Sequence, residues 1–146
     1  MSKSGNPNYA GDLAPTDAWE LLKSDRNARL IDVRTAPEWS FVGLPDLQSL
    51  GRTAMCVAWQ NFPSMQVNPD FVDDVIAELG GIARNVPLLF ICRSGARSRA
   101  AAIAMTGAGF SRAYNVAGGF EGDLDSERHR GRQNGWKASG LPWKQT

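Results

Sequence analysis

Cys92 stands where the unbroken apolar run Val86-Pro87-Leu88-Leu89-Phe90-Ile91 stops and the loop Cys92-Arg93-Ser94-Gly95-Ala96-Arg97 leads into an alanine-rich helical stretch. A thiol at the end of a buried strand and the start of a helix meets unpaired backbone N–H groups and the positive end of the helix dipole. Two guanidinium groups, Arg93 and Arg97, are close by in sequence. Each of these features favours the thiolate, the reactive form of cysteine. A loop curled around the sulfur makes its successive N–H groups into an anion-binding concavity, and Gly95 permits positive φ within the curl. Such a cradle suits a thiolate, a persulfide anion or an oxyanion held above it.

The rest of the loop supplies binding groups. Arg93 and Arg97 offer charge-assisted hydrogen bonds to an anionic substrate, with Arg97 closing the loop on the helix side. Ser94 and Ser98 add hydroxyl donors, and Ala96 completes the candidate substrate-binding set with Gly95. A cysteine at a strand end is ordinarily a small packed hydrophobe. The succession of apolar strand, cationic Gly-containing loop and helix is what favours a reacting one.

Other chemistry-bearing residues read as structural. Arg34 lies between Asp32 and Glu38, which predicts an ion-pair cluster fixing the loop after a strand. Cys56 sits among apolar neighbours and is expected in the core, not as a resolving thiol. His129 is the only histidine and falls in the polar stretch Asp125-Ser126-Glu127-Arg128-His129-Arg130-Gly131-Arg132, a surface loop by composition. A Cys-His dyad needs a third group to fix the imidazole, and the sequence identifies none. Metal-ligand spacing is absent, so no metal site is expected.

The elements that position Cys92 alternate. Residues 1–12 are polar and small and are expected to form a flexible arm. Pro15-Thr16-Asp17 opens a helix to about Lys23, with Asp17 and Glu20 in a capping arrangement. Ala28 to Val33 and Thr53 to Trp59 read as strands. A helix runs from Asn68-Pro69-Asp70 to Leu79, Asn68 capping it and Pro69 taking its first position, and Gly80-Gly81 stops it. Val86 to Ile91, a helix over Ala96 to Thr106 and a strand over Tyr114 to Val116 complete the alternation. Apolar strands separated by helices predict an α/β fold with a central parallel sheet and helices on both faces. Ligands of such sheets bind at the carboxyl ends of the strands, where Cys92 falls.

Composition bounds the function. The 146 residues, 42% hydrophobic and 21% charged, suit one soluble domain with a real core. A formal charge of +1 gives no field for nucleic acid or an anionic membrane. No run has the length of a membrane span, and the polar start lacks the apolar centre of a signal peptide, so a cytoplasmic protein is expected. Two distant cysteines make no disulfide framework.

Four segments in order resemble the rhodanese-like family, whose cysteine forms a persulfide: Leu30-Ile31-Asp32-Val33-Arg34 with Glu38-Trp39, the loop Cys92 to Ser98, Tyr114-Asn115-Val116-Ala117-Gly118-Gly119-Phe120, and Gly135-Trp136-Lys137-Ala138-Ser139-Gly140-Leu141-Pro142. The resemblance implies a single rhodanese-like domain over 13–146. It also implies a sulfurtransferase with Cys92 as nucleophile, a small anionic sulfur donor, a thiol or protein acceptor, and no cofactor. Two segments depart from the family's pattern. Gly43-Leu44-Pro45-Asp46-Leu47 lacks the histidine many members carry there, and Glu121 to Asn134 is longer and more charged than the usual link. If that link emerges on the active face, Arg128, Arg130 and Arg132 would draw in anionic substrates or a protein acceptor. The alternatives are a cysteine-dependent phosphatase or arsenate reductase and a non-catalytic binding module. Related phosphatases place five residues between cysteine and arginine, whereas four separate Cys92 from Arg97.

Overall fold

The computed structural model describes residues 8–145. In chain order the elements are β1 (Gly11–Leu13), α1 (Pro15–Ser24), β2 (Arg29–Asp32), α2 (Ala36–Phe41) and β3 (Leu44–Pro45), then a 3-10 turn over Gln48–Leu50. Next come β4 (Met55–Cys56), β5 (Gln60–Asn61), β6 (Gln66–Val67), α3 (Phe71–Leu79) and β7 (Leu88–Ile91). The chain ends with α4 (Ala96–Gly107), β8 (Ala113–Val116), α5 (Gly135–Ala138) and β9 (Trp143–Lys144). Five strands form one parallel sheet in the order β1-β8-β7-β2-β4.

β7 is central, and its sequence explains why. Leu88, Leu89, Phe90 and Ile91 are all buried, and successive side chains point to opposite faces. Leu88 and Phe90 join Phe71 and Val75 of α3 and Ala101, Ala102 and Met105 of α4 on one face. Leu89 and Ile91 join Ala18 and Leu22 of α1 and Trp136 of α5 on the other. Each such side chain contributes roughly 1.5–3 kcal/mol through burial, so a strand apolar throughout belongs between two helical layers. Trp136 packs edge-on to Trp19 at 5.9 Å and donates its indole N–H to the Pro142 carbonyl at 2.7 Å. The glycine, tryptophan and Gly-Leu-Pro ending thus close the second layer. Among the described residues no helix is long and apolar enough to cross a membrane.

Four local expectations are corrected. The arm expected over 1–12 does not reach its end: Tyr9 is buried and β1 begins at Gly11, because the N-terminal segment takes up the free edge of β8. The remainder of that arm, 1–7, lies outside the described residues. α1 starts on Pro15 with Ala14 before it, and neither Asp17 nor Glu20 caps it. α3 starts at Phe71, not at Pro69, since the Asn68 side chain accepts the Asp70 N–H at 3.0 Å and closes a turn across the proline. The strand over Thr53 to Trp59 shortens to Met55–Cys56 at the sheet edge. Beyond it Val57 and Trp59 still donate to the Asp32 and Val33 carbonyls, but the chain is already turning into the β5-β6 hairpin.

Candidate active site

β7 delivers Cys92 to the carboxyl edge of the sheet, only 1% exposed. Gly95 precedes α4 with φ at 118°, a conformation an L side chain rarely adopts, and its N–H points at the Cys92 Sγ from 3.1 Å. Ser98, one turn into α4, sets its Oγ 3.2 Å from the same sulfur. The back of the loop is pinned by the turn after β8. Phe120 donates its N–H to the Cys92 carbonyl at 2.7 Å, and Glu121 and Gly122 donate to the Arg93 carbonyl at 3.0 and 3.1 Å. In a trans peptide the next N–H points away from the preceding carbonyl, so these bonds orient the loop's amides.

In front of the sulfur opens a cavity of about 330 Å³ lined by Cys92, Arg93, Ser94, Ala96 and Arg97, with Glu38 of α2 and Gln60 and Met65 of the β5-β6 hairpin. Five of the seven loop residues singled out in the sequence therefore face one space. Gly95 and Ser98 do not line it. Ser98, expected as a substrate-binding donor, is instead buried behind the sulfur because it is on the inward face of α4. Gln60 and Met65 were not visible as site residues, since Gln60 is on a two-residue strand and Met65 in the turn after it, with no apolar alternation to mark them.

The charged cluster divides differently from expectation. Arg34 and Asp32 do pair, fully buried, with Nε to Oδ1 at 2.9 Å and Nη2 to Oδ2 at 2.6 Å. Arg34 Nη2 also donates to the Gly43 carbonyl at 2.7 Å, and its guanidinium lies over the Phe120 ring. The pair ties three segments together below the loop. Glu38 is not part of it. Its two oxygens take Arg97 Nη1 and Nη2 at 2.8 and 3.0 Å, and Oε1 also accepts the Thr35 N–H and hydroxyl in a capping box at the start of α2.

Partial burial alone would raise the Glu38 carboxyl, but Arg97 and the Thr35 donors outweigh it and hold it at about 2. The unfolded chain takes up that proton near 4.5. The bonds therefore stabilise the fold above about pH 4.5, and the contribution fades as pH falls towards 2. Because the pair is partly exposed, Glu38→Gln is expected to cost about 1 kcal/mol at neutral pH. Chemical denaturation of both proteins from neutral to about pH 2 checks this, with the difference vanishing at the acid end. A constant difference would show that Glu38 is not ionised against Arg97.

Cys56, expected in the core, is exposed because β4 is an edge strand. Its thiol is pushed up to about 11, by desolvation first and then by the Asp32 carboxylate. β2 separates β4 from β7 in the sheet. His129 is on the surface. Asp125, Glu127 and His129 bring ligand atoms within 4.8 Å of one another, a proximity not expected from their spacing. There Asp125 Oδ1 accepts the Glu127 and His129 N–H groups, both at 2.9 Å, which closes a polar turn. Arg130 donates to the Gly122 carbonyl and Arg132 pairs with Glu127, so both are held within the 121–134 link, outside the cavity lining.

A parallel five-stranded sheet with a cysteine loop entering α4 in this way is a rhodanese-like domain. The family described as the STR4 middle domain matches residues 11–146, and the chain belongs to it. The crystal structure of Rv0390 from M. tuberculosis is similar at 48% identity and a TM-score of 0.85, over 94% of this chain and 99% of that one. The uncharacterized protein RC0915 of Rickettsia conorii is 35% identical over 133 residues, 91% of this chain and 96% of its own. The thiosulfate sulfurtransferase GlpE of Actinobacillus succinogenes is 27% identical over 131 residues, 90% of this chain and 87% of its own.

Proposed function

We propose that the protein is a sulfurtransferase that loads a sulfane sulfur onto Cys92 from a small anionic donor such as thiosulfate. It then passes the sulfur to a thiol, cyanide or a protein acceptor. The observation that carries this reading is the Cys92 Sγ at the floor of the cavity, with the Gly95 N–H at 3.1 Å and Arg93 and Arg97 on the walls. The Cys92 thiolate attacks the outer sulfur of thiosulfate. The S–S bond of the donor breaks, its electron pair leaves with sulfite, and the new S–S bond makes the Cys92 persulfide anion. An acceptor nucleophile then attacks the outer sulfur and releases the thiolate, so each half-reaction balances without a cofactor.

Roles within the loop follow from the pairings. Arg97 is neutralised by Glu38, so its part is to hold the loop's helix side and the wall. Arg93 is exposed at the mouth and forms no ion pair among the described residues, which suits it to receive the donor's sulfonate. Ser94 and Ala96 shape the wall, and the Gly95 N–H meets the anion.

Intact-mass analysis of the reduced protein after incubation with thiosulfate tests the reading. A gain of one sulfur atom that cyanide removes is expected, together with negligible turnover of a phenyl phosphate ester. No gain from thiosulfate or mercaptopyruvate, with Cys92 reduced and the protein folded, would overturn it. Rapid ester turnover would assign the site to phosphate chemistry.

A further inference from the structure

Behind the sulfur, hydrogen bonds lead away from the cavity to the N-terminal strand. Ser98 Oγ, 3.2 Å from the Cys92 Sγ, is also 2.6 Å from Asn115 Oδ1 on β8 and 3.3 Å from the Gly95 carbonyl. Asn115 Nδ2 donates to Asp12 Oδ1 at 3.0 Å, and Tyr9 donates its hydroxyl to the same oxygen at 2.9 Å. Ser98 and Asn115 are buried, while Asp12 reaches solvent. Asp12 and Asn115 are register partners in the parallel pairing of β1 with β8, which is why their side chains meet.

The donor and acceptor count gives this chain a direction. An ionised carboxylate only accepts, so Asp12 must face the NH₂ side of the Asn115 amide. That turns Asn115 Oδ1 towards Ser98. A serine hydroxyl has one proton, and the shortest of its three contacts is to Oδ1. Ser98 is left with lone pairs facing Cys92. A lone pair accepts from S–H but gives nothing to S⁻, so this arrangement favours the protonated sulfur.

We propose that Asp12 is a positioning residue that, through the orientation of the Asn115 amide, withholds the Ser98 proton from Cys92 and so restrains thiolate formation in the resting protein. This rests on Cys92 being the reacting thiol. The other charged groups around the sulfur are Arg93, exposed at the mouth, Arg97, held by Glu38 of α2, and the buried Asp32-Arg34 pair below. Around Asp12 they are Tyr9 from its own segment and the Arg99 guanidinium of α4, 5.7 Å from the Tyr9 ring centre. Without the carboxylate, the Asn115 amide can turn, present its NH₂ to Ser98 Oγ, and free the hydroxyl proton for the sulfur.

The readout is the pH profile of Cys92 alkylation by iodoacetamide, followed by peptide mapping so that Cys56 is counted separately. Asp12→Ala is expected to lower the profile's midpoint by about half a pH unit, making alkylation about threefold faster on the acid limb. Asp12→Asn keeps an acceptor for Asn115 Nδ2 and is expected to retain the wild-type profile. In a Ser98→Ala background Asp12→Ala is expected to change nothing. A shift that persists in Ser98→Ala, or equals that of Asp12→Asn, would be the plain loss of a charge and would overturn the proposal, as would no shift. Alkylation reads the sulfur directly, so this result is independent of whether thiosulfate loads the protein.

Discussion

Cys92→Ser yields a folded protein that gains no sulfur. The oxygen fits the space of the buried sulfur and keeps both of its neighbours, the Gly95 N–H and the Ser98 hydroxyl, so the loop has no reason to collapse. What disappears is the polarisable sulfur on which the proposed persulfide would form. Sulfur transfer from thiosulfate to cyanide is expected to fall by about a thousandfold or more, the scale seen when a nucleophile is removed. The unfolding midpoint is expected to stay close to wild type. The second thiol is the internal control. Cys56 is on the edge strand with its proton held to about 11, so it is not ionised to replace Cys92. Cyanide-labile sulfur mapped to Cys56 in the mutant would assign the chemistry to the wrong cysteine.

Gly119→Ala is the second large effect, and it acts through backbone. A Cβ there would stand 2.5 Å from the Cys92 carbonyl oxygen and 2.6 Å from the carbonyl carbon and oxygen of Arg93. These are main-chain atoms at the nucleophile itself, with no flexible side chain to move aside. Gly119 also has φ at 66°, a left-handed value that costs an alanine about 1–2 kcal/mol before any clash. Relief means parting the turn from the loop and losing the three bonds from Phe120, Glu121 and Gly122. A destabilisation of about 3 kcal/mol or more is expected by denaturant titration, with loss of persulfide formation in whatever fraction still folds. A variant of normal stability that loads sulfur normally would show that the turn does not shape the loop.

The central framework was legible because the apolar run before Cys92 has only one accommodation, between two helical layers, and the loop and glycine pair mark where it ends. The residue order around Cys92 likewise singles out seven loop residues, five of which share the cavity. Pairings across long stretches of chain were not legible. Glu38 reads as a partner of Arg34 because the two are neighbours in sequence, whereas its guanidinium is that of Arg97, 59 residues away. Asp12 has only a three-residue edge strand around it, and so short a segment carries no detectable periodicity. Cys56 was misplaced for a related reason: apolar neighbours do not reveal that a strand is the last of its sheet. The sequence of the polar 121–134 link likewise does not reveal its internal contacts, in which Arg130 donates to the Gly122 carbonyl and Arg132 pairs with Glu127.

The turn that anchors the Cys92 and Arg93 carbonyls comes later in the chain than the loop it anchors. During synthesis the cysteine therefore leaves the ribosome before Phe120, Glu121 and Gly122 exist to set its amides. A nascent thiol then lacks the shaped loop of the finished protein, which is completed only once residues 119–122 have been made. Stalled or truncated products ending before Gly119 would carry Cys92 and its loop without the turn that anchors their carbonyls.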